Sequence, residues 1–174
     1  MRRTTIRVFA LFTGWLAIVA AAVAQAPPTP DLLEHLSGHW VLRGTITGQA
    51  TTHDVDAEWV LNRGYLRLHE VSREKDASGN PQYEAIVFFS RDRKTGEYSC
   101  LWLDTTSNAG LSNSGVAHGK ASGNEIPFVF FPNSKQEFHN RFAYDVASDS
   151  WTWTMDGVEG GKTVPFARLK LTRK

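Results

Sequence analysis

A single cysteine, Cys100, occurs in the 174 residues, and one thiol forms no internal disulfide. The fold must therefore rest on its apolar core. Zinc spacing is missing from the six histidines as well. His35 and His39 stand four apart but straddle a helix end, and no third ligand follows at a suitable distance. Charge of one sign is not in surplus: 19 Lys and Arg face 18 Asp and Glu. That balance gives no reason to expect nucleic acid or an anionic membrane as the main partner. No Gly-rich phosphate loop is present, and Ser112-Asn113-Ser114-Gly115 does not match a nucleophile elbow. The carboxylates are scattered, and nothing nominates a catalytic pair. Past Gly38 there is no sustained helical period.

What is present begins with a leader-like segment. Arg2, Arg3 and Arg7 precede an apolar run from Val8 to Ala24, and Ala22-Val23-Ala24 and Ala24-Gln25-Ala26 are small-x-small sites. This order reads as a secretory signal peptide over residues 1–26. The run is a little short for a retained membrane anchor. The expectation is a periplasmic or secreted domain over residues 27–174, with no membrane span after cleavage. No Cys follows the small residues, so a lipoprotein signal is not supported. Pro27, Pro28 and Pro30 suit a flexible mature start.

The mature chain opens on a short helix, with Asp31 as its cap, Leu32, Leu33 and Leu36 as its apolar side, and Gly38 as its stop. Strand after strand follows, beginning with Trp40 to Ile46. The spacing then predicts strands over His53 to Leu61, Tyr65 to Arg73, Tyr83 to Ser90 and Glu97 to Thr105. Five more are expected over Leu111 to Lys120, Glu125 to Phe131, Gln136 to Val146, Ser150 to Asp156 and Thr163 to Thr172. Turn residues separate them. About ten hairpin-joined strands would leave two open edges as a flat sheet, and closure removes both. The fold class expected is all-β: one antiparallel up-and-down barrel with a short N-terminal helix. A barrel of this size leaves interior volume that becomes a ligand cavity.

Three groups of residues then resemble the calycin superfamily of lipocalins, fatty-acid-binding proteins and nitrobindins. They are Gly38-His39-Trp40 where helix meets first strand, Phe166-Ala167-Arg168 on the last strand, and the central set between them. That set reads Val87-Phe88-Phe89-Ser90, Asp92 to Gly96, and Trp102-Leu103-Asp104, an order similar to the lipocalin-like domains of unknown function of exported bacterial proteins. The resemblance covers about Leu32 to Arg173. It implies that Trp40, following Gly38, plugs one barrel end and that Arg168 covers its indole, a cation–π arrangement. Nitrobindins bind haem through a histidine shortly before the terminal-strand Arg. Thr163 to Arg168 holds none here, so no cofactor is expected and haem is disfavoured.

Candidate ligand-site residues come from face assignment. His69 shares a face with Tyr65 and Arg67, which is either the solvent side or a polar cavity wall. His118 lies near a possible barrel mouth. Asp104 shares the face of Cys100 and Trp102, and if buried it needs a partner, with Arg67 or Arg141 as candidates. It is then a structural salt bridge or an anchor for a ligand head group. Phe142, Trp151 and Trp153 are core residues that can also wall the site. Cys100 reads as a buried structural thiol rather than a nucleophile. The function expected is binding of a small hydrophobic or amphipathic molecule. The alternatives are a small enzyme, haem-dependent or using a cavity histidine, and a solidly packed interaction module.

Overall fold

The structure, a computed structural model, describes residues 31–106 and 115–174. The leader-like segment and its cleavage sites lie outside the described residues, as does the start of the strand expected from Leu111. Asp31 caps α1 (Leu32–Leu36), accepting from the Leu33 N–H at 3.1 Å. Ten strands follow: β1 (Gly38–Ile46), β2 (Gln49–Val60), β3 (Tyr65–Ser72), β4 (Glu84–Arg91) and β5 (Glu97–Asp104), then β6 (Val116–Lys120), β7 (Glu125–Phe130), β8 (Phe138–Asp145), β9 (Ser150–Glu159) and β10 (Lys162–Arg173). Each pairs antiparallel with its sequence neighbours, and β1 pairs with β10, so the sheet is a closed barrel. Among the described residues no helix is long and apolar enough to cross a membrane.

Closure follows from alternation. On β3 Leu66 and Leu68 are buried and flank the half-exposed Arg67, and on β10 Ala167, Leu169 and Leu171 do the same around Arg168 and Lys170. Every strand thus offers one oily face, and wrapping the sheet hides all of them together. The seam runs from Trp40↔Arg173 to Ile46↔Ala167. Gly44 lies on it, where a Cβ would strike the Arg168 carbonyl oxygen, so only glycine lets the two strands meet there. β2 begins earlier than expected, because Thr47 and Gly48 both take positive φ (49° and 82°) and make a two-residue hairpin turn. That turn lacks the usual Asn-Gly or Asp-Gly signature, so the sequence pattern does not show it.

One end of the barrel is sealed. Leu33 and Leu36 of α1 sit in it fully buried, above Trp40, whose Nε1 donates to the Leu36 carbonyl at 2.7 Å. Trp40 is the expected plug, but Arg168 is not its cover. The guanidinium over the indole is that of Arg173, 3.7 Å from the ring centroid. Arg173 also donates to the carbonyls of Ser37 (2.7 Å) and His35 (3.1 Å) and pairs with Asp149 at 2.9 Å. Arg168 faces outward, ion-paired with Asp156. Parity explains the difference: Arg173 continues the inward series of Leu169 and Leu171, and Arg168 belongs to the opposite face.

Candidate functional site

A tight aromatic cluster fills the barrel on the side of the sealed end. Phe89, Phe128, Phe142 and Trp153 pack there, with Phe142 stacked on Trp153 at 4.5 Å and Trp102 tilted against Trp153 at 5.2 Å. Above that layer, toward the β1–β2, β3–β4, β7–β8 and β9–β10 turns, lies a cavity of about 740 Å³. Volumes of this size hold drug-sized ligands. Ile46, Phe130, Phe138, Met155 and Leu169 give it apolar walls, and Phe166 stands at its rim. Phe166 is the extra residue of a bulge where the β9–β10 register shifts between Pro165 and Ala167. A bulge re-aims a side chain; here Phe166 packs edge-on against Phe138, ring centroids 5.3 Å apart.

One wall of the cavity is polar. His53 on β2 and Glu70 on β3 are both buried and form a short Nδ1–Oε1 contact. The other ring nitrogen, Nε2, meets the Thr51 hydroxyl at 2.7 Å, and that hydroxyl donates to Glu74 Oε2 at 3.2 Å. Glu70 Oε2 is buried without a hydrogen-bond partner among the described residues. Such an atom costs more than a net hydrogen bond returns, about 1–3 kcal/mol. Tyr83 stacks on His53, ring centroids 5.7 Å apart, and completes the wall. Its hydroxyl accepts from Trp102 Nε1 at 3.0 Å and donates to Asp104 Oδ2 at 3.4 Å. Burial pushes the Tyr83 phenol well up, and the nearby Glu70 and Asp104 carboxylates push it further, so it stays a donor. Burial also works to raise Glu74, but hydrogen bonds from its own N–H, the Thr52 N–H and the Thr51 hydroxyl outweigh it. Glu74 therefore lies below the usual carboxyl range and is ionised at neutral pH.

Of the residues expected to line a ligand site, Trp102 and Asp104 line this cavity. Phe142, Trp151 and Trp153 belong to the packed core instead. Trp151 donates toward the His35 carbonyl at the sealed end, and Trp153 donates to Asn140, which in turn lines the cavity. Arg67, His69 and His118 lie on the outer face, beside Glu58, Glu84 and Glu97 respectively. For His69 the two open readings resolve to the solvent side. Asp104 bonds Tyr83 and Thr106, while Arg141 pairs outside with Glu125. His53, Glu70 and Tyr83 were not among the expected site residues, although the sequence marks the first two. His53 shares a parity with Val55 and Ala57, and Glu70 with Leu66 and Leu68, and all four of those are buried.

The Glu70–His53–Thr51 order has the contacts of an acid–base–hydroxyl relay. Glu74, however, is a carboxylate 3.2 Å from that hydroxyl, and it opposes the negative charge that an acyl-transfer intermediate develops. No group of three or more His, Cys, Asp or Glu among the described residues is disposed to hold a metal ion.

No protein-family model matches the chain, and no curated protein matches it. Among solved structures it is similar to the crystal structure of Rv2717c from M. tuberculosis, with a TM-score of 0.57 and 15% identity. That match covers 82% of this chain and 94% of the other. The likeness is one of fold.

Proposed function

We propose that this protein is an exported carrier or sensor that binds a small lipophilic or amphipathic molecule inside a calycin-like barrel. The cavity carries the reading: one sealed end, apolar walls, a rim of aromatic side chains and a single polar wall of His53, Glu70, Tyr83 and Asp104. Apolar enclosure with a few convergent polar groups is what small-molecule sites have in common. The leader-like segment supports export. A cavity of this volume also weighs against a solidly packed interaction module.

A haem site of the nitrobindin kind does not fit these residues. Thr163 to Arg168 has no histidine, and the histidine lining the cavity, His53, has both ring nitrogens engaged by Glu70 and Thr51. The test is titration with an uncharged fluorescent probe such as N-phenyl-1-naphthylamine. The native protein is expected to bind it with enhanced emission, and Met155→Trp, which fills the cavity with an indole, to lose binding while still melting cooperatively. Absence of probe binding to the native protein, or equal binding by the filled variant, would overturn the proposal.

A further inference from the structure

We infer that the polar end of the ligand is a cation or a group rich in hydrogen-bond donors, such as an amine, and not a carboxylate. This rests on the reading of the barrel as a ligand-binding protein and adds the sign of the head group. Two observations support it. The first is Glu70: its side chain is 2% exposed, it lines the cavity, Oε1 is taken by His53, and Oε2 has no partner among the described residues. An unmatched buried acceptor asks for a donor, and a second acceptor placed against it would be repelled. The second is the make-up of the lining. Glu70, Glu74 and Asp104 bring three carboxyl groups to it, and no Lys or Arg among the described residues lines it. The basic side chains three residues to either side of Glu70, Arg67 and Arg73, are turned outward to Glu58 and Asp54.

The aromatic neighbours agree in chemistry. Tyr83 and Trp102 line the same corner, joined by the Nε1–hydroxyl bond, and their faces attract cations. A fatty acid bound tail-down would bring its carboxylate to this wall and meet no guanidinium. An alkylamine in the same pose would give N–H groups to Glu70 Oε2. Discrimination would then come from repulsion of the acid as much as from attraction of the amine.

The experiment displaces N-phenyl-1-naphthylamine from the full-length chain with three ligands of one tail: dodecylamine, dodecanol and dodecanoate, each at neutral pH and below its micellar concentration. The amine is expected to displace the probe at about one-tenth the concentration the acid needs, with the alcohol between them. Glu70→Gln, which can keep one oxygen toward His53, is expected to bring the amine and acid values within about threefold of each other. Glu74→Gln is expected to narrow the gap in the same direction and carries the test if Glu70→Gln does not fold. Equal or tighter binding of the acid by the native protein overturns the inference while leaving the binding function standing. A preference unchanged in both folded variants also overturns it. Failure of the probe and all three ligands to bind overturns the binding function and the inference together.

Discussion

Removing the Arg173 guanidinium should unseat the plug and cost more than removing that of Arg168. Arg173 lies over the Trp40 indole and donates to two carbonyls where α1 gives way to β1. A cation over an indole contributes about 1 kcal/mol at a partly exposed site. Each charged hydrogen bond to the His35 and Ser37 carbonyls adds about 1.5 kcal/mol before screening. The side chain is 39% exposed, which roughly halves the hydrogen-bond part. Arg173→Ala should therefore cost about 2–3 kcal/mol, a fall in Tm of about 6–10 °C for a domain of this size. Arg168→Ala breaks the ion pair with Asp156 and two hydrogen bonds, to the Met155 (3.0 Å) and Ala167 (2.7 Å) carbonyls, on a side chain that is 46% exposed, and should cost about 1–2 kcal/mol. Arg173→Lys keeps the charge but not the planar fork, and should fall between the native protein and Arg173→Ala. Thermal melts followed by tryptophan fluorescence and far-UV circular dichroism decide the matter. Equal losses for the two alanine variants, or a larger one at Arg168, would refute the assignment of the cover.

The same packing leads to three further outcomes. His53→Ala leaves the Glu70 carboxyl buried without its partner, so it should lose about 3–5 kcal/mol in urea denaturation, while the paired change His53→Phe with Glu70→Leu should recover much of that; no recovery in the double variant would refute the pairing. Arg73, and then Lys174, hydrogen-bond Asp54 and hold its carboxyl well below the usual range, and the Arg173 hydrogen bond lowers that of Asp149. Their contribution is complete above the unfolded value of about 4 and disappears as pH falls through the lowered folded values, so the urea midpoint should drop on acidification and Asp54→Asn should flatten that drop. Burial raises the Cys100 thiol and shields it, so a thiol reagent such as DTNB should react only after denaturant is added, and prompt reaction of the native protein would contradict the packing.

Period-two alternation was enough to read the barrel. Val87 and Phe89, or Trp151 and Trp153, are large and inward at every second position, and turns such as Asp92 to Gly96 punctuate them. The capped helix was equally legible, because it depends on a few adjacent residues, and the Trp40 plug came from the resemblance carried by Gly38-His39-Trp40. Arg168 was misassigned because a short motif was followed in place of parity, and the series Leu169, Leu171, Arg173 already pointed to the other arginine. The polar wall was missed for a related reason. Apolar residues reveal the inner face of β2 and β3, but His53 and Glu70 look like solvent residues until the face set by Val55 or Leu68 is extended to them. The hydrogen bond from Tyr83 to Asp104 spans 21 residues and depends on β4–β5 pairing, which no local pattern records. The bulge at Phe166 likewise belongs to pairing rather than to sequence.

The β1–β10 seam also sets an order of events during synthesis. Ser37 and Arg173 touch across 136 positions, so the first strand waits, one edge bare, until almost all of the barrel has left the ribosome. Contacts that distant are slow to form and contribute little until the loop between them is ordered. A nascent chain of this design stays unlocked for as long as its tenth strand is missing.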